Sequence, residues 1–337
     1  MVSEPDVGGR PPTIRTVAAR AGVSKSLVSL VLQNSPHVSE AKRQAVLKAV
    51  ADLGYRPDPV ARSLAERRTR TIGVVIDDLS NPWYAPLLDG LRPVLHEHGL
   101  RPLVADGRTE PDAVRALWDL RVDGLVLVGT PSSSAADQVN ALANQLPTVV
   151  AGTREPRLSS VDLVANDDYS GAQLATRHLL ELGHRRIGHI VGEGEVGRLR
   201  RVGHEAVMAE AGLSPWCVAG DWTEPTGHRA ALDLLRSPDR PTAIFAANDL
   251  SAVGVLAAAD DLGLRVPDDL SVVGYDDTWF ARLQRLSLTT VDGHIAEVGQ
   301  VAGRTLTARI HGERGTAGVR LLFPALVERS STGPAPT

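Results

Sequence analysis

The sequence predicts a small all-α domain followed by a larger α/β body of two similar lobes. Apolar residues recur at helical spacing over residues 13–54, and from Ile72 onward short β-branched runs alternate with helical stretches. Such alternation is typical of parallel sheets covered by helices. The chain of 337 residues also exceeds the usual single domain of about 100 to 200 residues. We therefore expect more than one domain.

The amino-terminal head begins with two short helices. Thr13 is a suitable N-cap for the first, and Gly22 is a natural stop. After Ala-Gly-Val, Ser24 caps a second helix, and this spacing is that of a helix-turn-helix. A third helix starts after Ser39 and ends at Gly54. Three helices in this short segment give the head a minimal core.

The second helix has two different faces. One is apolar, and the other carries small polar and basic side chains, Lys25, Ser26, Ser29 and Gln33. Hydroxyl, amide and ammonium groups on a helix suit base edges in the DNA major groove. Lys42, Arg43 and Lys48 would then bind phosphates. The alternative is a helical bundle whose polar face meets only solvent.

The charge is distributed unevenly. The whole chain has a formal charge of −4, but residues 1–70 hold twelve basic and six acidic residues, giving +6, and the remainder carries −10. A basic head on an acidic body indicates a polyanionic partner for the head alone. A solvated charged tail is the competing interpretation.

Composition excludes several classes of protein. A single cysteine, Cys217, rules out an intrachain disulfide and favours a reducing compartment. No apolar run reaches the roughly 18 residues of a membrane span. Histidines are dispersed and form no HExxH pair, so we expect no metal and no cofactor. These features predict a cytoplasmic protein.

A glycine-rich motif suggests another class. Residues 192–197, GEGEVG, match GxGxxG between a strand and a helix, with Asp221 further on, which is the layout of a dinucleotide site. An NAD(P)-dependent enzyme using this loop is therefore an alternative. Two glutamates stand where pyrophosphate would approach, and we assign no catalytic residue. We favour a glycine-rich loop facing a cleft.

Residues 13–84 resemble the start of the LacI/GalR family of bacterial transcriptional regulators. The run that carries the resemblance is TIRTVAARAGVSKSLVSLVLQNSPHVSEAKRQAVLKAVADLGYRPDPVARSLAERRTRTIGVVIDDLSNPWY. The resemblance implies a sequence-specific repressor that binds a pseudo-palindromic double-stranded DNA operator as a homodimer. Many members carry Arg where this chain has Leu30, which either contacts a thymine methyl or reads no base. The DNA-binding positions that the family implies are Thr13, Ser24, Lys25, Ser26, Ser29, Leu30, Gln33, His37, Tyr55, Ala61 and Leu64.

The segment 59–65, PVARSLA, resembles the family's hinge helix. In that family the hinge folds on DNA and inserts a leucine between base pairs, and Leu64 occupies that position. Apolar wedges of this kind kink the duplex. A leucine packed on the body is the alternative, disfavoured by the prolines and arginines that mark an exposed linker.

For the body, the resemblance implies a type I periplasmic-binding-protein-like fold with an effector between its lobes. We expect a disordered tail at 1–12, the helix-turn-helix domain at 13–58, the hinge and linker at 59–70, the effector-binding and dimerisation domain at 71–329, and a disordered tail at 330–337. Lobe 1 would comprise 71–165 and 293–320, and lobe 2 would comprise 166–292 and 321–329. The chain would cross between lobes near 165, 292 and 321.

The expected effector is a small polar molecule, a sugar or polyol. By resemblance Arg198 binds its hydroxyls and Trp222 stacks on it, while Gly152 and Gly293 depart from the residues that sugar-responsive relatives carry. A sugar-binding sensor with no role on DNA is an alternative. The full predicted effector set is Asp78, Ser80, Asn81, Trp83, Tyr84, Arg198, Trp222, Asn248 and Asp276.

Overall fold

The computed structural model describes residues 12–32, 34–56, 68–110, 112–129, 141, 145–152, 161–313 and 315–336. It divides the chain into two compact units, Met1–Thr69 and Arg70–Thr337. Residues 1–11 of the predicted first tail and most of the hinge fall outside the described residues, as do Gln33, Ala61 and Leu64. Among the described residues, no helix is long and apolar enough to cross a membrane.

The head consists of α1 (Ile14–Ala21), α2 (Lys25–Leu32) and α3 (Glu40–Leu53). Thr13 and Thr16 form a reciprocal capping box on α1, and Gly22 ends it in the left-handed conformation. The Ser24 hydroxyl accepts a hydrogen bond from the Leu27 amide at 3.2 Å. The predicted helix boundaries follow from these caps. The core of the head is a small aliphatic cluster contributed by all three helices and includes Val17, Val28 and Val46.

Lobe 1 is built on one parallel sheet. Its strands are β1 (Thr71–Ile76), β2 (Arg101–Asp106), β3 (Gly124–Val128), β4 (Thr148–Ala151), β5 (Asp162–Asn166) and β11 (Val319–Leu322), in the order β11-β5-β4-β3-β1-β2. Helices α4 (Tyr84–Glu97), α5 (Ala113–Asp119) and α10 (Ile295–Ile310) belong to this lobe. Buried aliphatic residues of the sheet pack against α4 and α10 on one face and α5 on the other.

Lobe 2 repeats this plan. Its sheet has the order β12-β10-β9-β8-β6-β7, formed by β6 (Ile187–Val191), β7 (Trp216–Ala219), β8 (Ala243–Phe245), β9 (Ser271–Tyr275), β10 (Thr289–Asp292) and the antiparallel β12 (Ala325–Val327). Helices α6 (Asp168–Glu181), α7 (Gly194–Glu210), α8 (Glu224–Leu235) and α9 (Asp249–Asp261) cover it. A 3₁₀ turn spans Trp279–Arg282.

The chain passes between the lobes three times, after β5, after β10 and after β11. Two boundaries differ from the prediction. Asn166 was assigned to lobe 2 but is the last residue of β5 in lobe 1. Leu321 and Leu322 were assigned to lobe 2, yet they pair with Ala165 and Asn166 in the sheet of lobe 1. Strand β11 stays paired with β5 as far as Leu322, and β12 of lobe 2 begins at Ala325, so the third crossing lies at residues 323–324.

The carboxyl-terminal segment is also a correction. Residues 330–337 were expected to be disordered because they are small, polar and proline-rich, but residues 331–336 follow lobe 2. Ser331 is buried, and its hydroxyl donates to the Val272 carbonyl at 2.6 Å. The Ala335 amide donates to the Leu182 carbonyl at 2.9 Å. Backbone groups that find partners on a folded surface hold a segment whose composition predicts disorder.

Candidate effector and DNA-binding sites

A cavity of about 310 Å³ lies between the two lobes. Its walls come from the carboxyl ends of strands in both sheets, where ligands of parallel α/β folds bind. Eight of the nine predicted effector residues line it: Asp78, Ser80, Asn81, Trp83, Tyr84, Trp222, Asn248 and Asp276. Their roles in binding stay predictions, but the structure brings them together.

The ninth predicted residue, Arg198, does not line the cavity. Its side chain is 58% exposed and binds the carboxylate of Glu195, one turn earlier on α7, at 2.5 Å. The arginine that lines the cavity is Arg200. Each residue of an α-helix is turned by about 100° from the one before it, so residues two positions apart point about 200° apart. Arg198 and Arg200 therefore lie on opposite faces of α7. The motif therefore identifies the helix that reaches the cavity, but the structure places Arg200, and not Arg198, in the cavity wall.

Arg200 is buried, with a side chain only 4% exposed. Its guanidinium contacts Asp168 at 2.9 Å and Asp276 at 3.4 Å, and it donates to the Ala247 carbonyl. The guanidinium also lies 3.5 Å from the centre of the Tyr275 ring. Burial disfavours its charge, but the two carboxylates outweigh burial and raise the pKa of Arg200. It is a fixed cation in the cavity wall.

Asp276 directly follows β9 and has a strained backbone. Its φ of 107° lies where non-glycine residues are rare, and the following Asp277 also has a positive φ, 46°. Arg282 and Arg329 bind the Asp277 carboxylate and so fix this turn. Burial raises the pKa of Asp276 to about 8 despite its contact with Arg200. The surrounding fold thus holds a carboxyl group in an unusual conformation at the cavity.

Two indoles lie in the cavity, one from each lobe, and each rests on a glycine. A β-carbon at Gly152 would meet the ring of Trp83 at 2.2 Å, and one at Gly192 would meet the ring of Trp222 at 2.3 Å. Gly152 also has a φ of +80°. The ring of Trp83 therefore leaves no room for a side chain at residue 152, which explains why this chain has glycine where sugar-responsive relatives carry another residue.

The same geometry accounts for the GxGxxG motif. Gly192 gives room to Trp222, and a β-carbon at Gly197 would lie 1.8 Å from the Gly192 carbonyl oxygen. Gly194 begins α7 in the left-handed conformation. These glycines satisfy packing and turn geometry, so the motif does not require a dinucleotide.

Sequence reasoning missed several polar residues of the cavity. Asn166 and Asp168 sit where β5 leads into α6, and the Asn166 amide donates to Asp168 at 2.8 Å and to the Tyr275 hydroxyl at 3.2 Å. Glu193 and Asp221 line it as well. A signal existed for the first pair, because the run Asn-Asp-Asp stands at the end of a strand, where ligands of parallel sheets bind.

In the head, the described DNA-binding positions differ in exposure. Thr13, Ser24, Lys25, Ser26 and His37 are exposed. Leu30 is 39% exposed, whereas Ser29 is half-buried and Tyr55 packs against the helical core. The hydroxyls of Thr13 and Ser24 serve as helix caps. The beginning of α2 is thus exposed, and its contacts with DNA stay a prediction.

A three-helix unit of helix-turn-helix form, followed by a two-lobed body with a polar cleft, defines the class of ligand-controlled DNA-binding regulators. Comparisons agree with this class. Residues 13–58 match the family "Bacterial regulatory proteins, lacI family", and residues 176–332 match "Periplasmic binding protein-like domain". The chain is 34% identical over 333 residues to the HTH-type transcriptional repressor PurR of Erwinia tasmaniensis, covering 96% of this chain and 98% of that protein.

Other relatives extend the likeness. PurR of Proteus mirabilis is 35% identical over 336 residues, covering 96% of this chain and 98% of that protein. The lac repressor dimer bound to operator and the anti-inducer ONPF superposes with a TM-score of 0.87 at 29% identity, covering 96% of this chain and 100% of that one. The chain belongs to the LacI family of bacterial transcriptional repressors. The predicted fold class is confirmed, and the enzyme alternative is set aside because these relatives are repressors.

Proposed function

We propose that this DNA-binding repressor is controlled by a small polar effector, a sugar or polyol, bound in the cavity between its lobes. The observation that carries the proposal is the composition of that cavity. Amide, carboxylate and guanidinium groups from both lobes surround two indole rings. Such groups hydrogen-bond hydroxyls, and aromatic faces pack on the apolar face of a sugar ring.

Structural neighbours support a sugar. The transcriptional regulator CelR–cellobiose complex is 33% identical, with a TM-score of 0.72, and covers 95% of this chain and 99% of that one. A LacI family transcriptional regulator from Enterococcus faecium with bound ribose is 27% identical, with a TM-score of 0.71, and covers 78% of this chain and 99% of that one. Both fold likenesses favour a polyhydroxylated ligand here.

Control of DNA binding follows from a ligand that touches both lobes. Such a ligand stabilises one lobe arrangement over another and so changes the affinity of the protein for its operator. By thermodynamic linkage, operator binding changes the affinity for the effector by the same factor. We further propose that the chain acts in the cytoplasm as a homodimer on a pseudo-palindromic operator, whose symmetry matches that of the dimer. Trp279 and Leu283, exposed on lobe 2, are suited to the dimer contact. Light scattering of the operator complex would show two chains per duplex.

The effector assignment is tested with a pair of arginine variants on one helix. In a thermal-shift screen of sugars, polyols and nucleosides, Arg200→Lys should abolish the ligand-induced rise in Tm, because a single ammonium cannot replace the planar guanidinium that contacts Asp168, Asp276 and the Ala247 carbonyl together. Arg198→Ala should retain it, because Arg198 lies outside the cavity. A shift produced by nucleosides and by no sugar would overturn the sugar assignment. Equal affinity for every duplex in gel shifts would overturn the operator-binding role.

A further inference from the structure

The three passages of the chain between the lobes come together at Asn166. This residue ends β5 of lobe 1, and only 3% of it is exposed. The amide of the next residue, Asp167, donates at 2.9 Å to the carbonyl of Leu322, where β11 ends. A β-carbon at Gly293, directly after β10, would lie 3.3 Å from the side-chain amide of Asn166. A change in the angle between the lobes therefore bends the chain around this side chain.

The side chain of Asn166 is bonded to lobe 2, although its backbone belongs to the sheet of lobe 1. Its Nδ2 donates to Asp168 Oδ1 at 2.8 Å and to the Tyr275 hydroxyl at 3.2 Å. A carboxylate only accepts hydrogen bonds, so the nitrogen of the amide, and not its oxygen, faces Asp168. Asn166 with these two partners forms a clamp across the first crossing, which we call the interlobe clamp.

The partner on β9 is built to receive this bond. Tyr275 is the last residue of that strand and is fully buried. Burial raises the pKa of Tyr275 well above its usual value, so the hydroxyl stays neutral and accepts from Asn166. A β-carbon at Gly171 on α6 would overlap the hydroxyl oxygen, so the glycine gives this hydroxyl its room.

The interlobe clamp is continuous with the wall of the effector cavity. The guanidinium of Arg200 lies 3.5 Å from the centre of the Tyr275 ring and contacts Asp168 at 2.9 Å. Asn166 itself lines the cavity. A ligand that shifts Arg200 therefore shifts the same two groups that Asn166 binds, so cavity and crossing share one buried polar network.

We propose that the interlobe clamp sets the angle between the lobes and couples the effector cavity to operator affinity, with Asn166 and Tyr275 as positioning residues. The inference rests on the proposed control by a ligand between the lobes. The clamp is closed in one lobe arrangement and open in the other. Its hydrogen bonds thus favour the closed-clamp arrangement by their own free energy.

Two variants remove the bond between these residues from its opposite ends. Tyr275→Phe deletes the acceptor oxygen and keeps the ring beneath Arg200, whereas Asn166→Ala deletes the donor. Tyr169→Phe is the matched control. Tyr169 is a half-buried tyrosine at the start of α6 in the same lobe, and its hydroxyl is not one of the acceptors of Asn166.

Hydrogen–deuterium exchange on the full chain without ligand tests the clamp itself. In Tyr275→Phe and in Asn166→Ala we expect exchange about threefold or more faster over residues 166–170 and 292–296, since one net hydrogen bond is lost there. Exchange over α8, on the other face of the lobe 2 sheet, should stay as in the unaltered chain. Tyr169→Phe should change neither region.

Gel shifts on an operator duplex selected from a random library test the coupling. Without ligand, each variant should change operator affinity by about threefold or more, because losing the clamp shifts the balance of lobe arrangements. The double variant should change it no further than Asn166→Ala does, because the same bond is already lost. Affinity for a scrambled duplex should not change.

Three results would overturn the inference. The first is unchanged exchange at the crossings, and the second is an equal rise throughout lobe 2, which is the sign of general destabilisation. The third is faster exchange at the crossings with unaltered operator affinity. None of them touches the proposed function, which fails separately if no ligand in the thermal-shift screen raises the Tm of the unaltered chain.

Discussion

Single glycines decide where the two indoles lie. We expect Gly192→Ala to destabilise lobe 2 by about 1–3 kcal/mol, because its β-carbon would overlap the ring of Trp222, a form of overpacking. Effector binding should weaken as the ring moves. Urea denaturation and the thermal shift measure both effects.

Gly194→Ala is the matched control for this prediction. Its φ is +67°, but nothing lies within 4 Å of the added β-carbon. It should therefore cost only about 1–2 kcal/mol of backbone strain and leave effector binding intact. Equal losses of binding in both variants would show that the loop conformation matters and the contact with Trp222 does not. Tight NAD(P) binding lost in either variant would restore the dinucleotide interpretation.

Single residues also show which parts of the cavity could be predicted from the sequence and which could not. Asp78, Asn248 and Asp276 were predicted because they follow buried strands, and strand ends converge in parallel sheets. Arg200 was missed because three arginines within four residues of α7 cannot be separated by motif alone, and only the helix phase distinguishes their faces. Packing partners across the fold, such as Trp83 against Gly152, leave no local signal.

At the scale of elements, strands and helices were predictable from period and caps, whereas the carboxyl-terminal segment was not. Its contacts are distant in sequence: the ring of His178 contacts the Thr332 hydroxyl at 3.0 Å, and His184 contacts the Gly333 carbonyl at 3.0 Å. Local composition carries no information on such partners. The segment is thus part of lobe 2, held by buried groups of α6 and the loop after it.

Removing residues 331–337 should therefore destabilise lobe 2 by about 2–4 kcal/mol, from the loss of several buried hydrogen bonds. Truncation should also weaken the pH dependence of stability. Burial lowers the pKa of both His178 and His184 in the folded chain. Because the unfolded state binds protons more strongly, stability is present above about pH 6.5 and declines as pH falls below it.

Urea denaturation of the full and truncated chains at about pH 7.5 and pH 5.5 tests this. The full chain should lose more stability on acidification than the truncated chain, in which both imidazoles meet water. His189 and His204 stay buried in either chain and cancel in the comparison. An equal acid loss in the two chains would contradict a role for the segment in shielding these histidines.

At the scale of the whole molecule, the formal charge of −4 conceals two parts of opposite sign. The head carries the +6 that a phosphate backbone attracts, and the acidic body is repelled by DNA wherever it is not held by the head. This arrangement limits non-specific contact to the head. Affinity should therefore depend on salt through the basic residues of the head alone.

The basic residues of α3 differ in whether their side chains are free to bind DNA phosphates. Arg43 donates to the Asn34 side chain at 2.9 Å and to the Ser35 carbonyl at 2.6 Å, so it fixes the loop before α3. Lys42 and Lys48 are exposed. We expect Lys42→Gln to weaken binding to all duplexes alike and to lower the slope of log K against log salt by about one per chain, without changing sequence preference. Arg236→Gln, an exposed change on the body, should leave the slope unaltered. Gel shifts over a salt series on operator and scrambled duplexes measure both quantities, and a change in sequence preference with Lys42→Gln would place this lysine at a base edge and not at a phosphate.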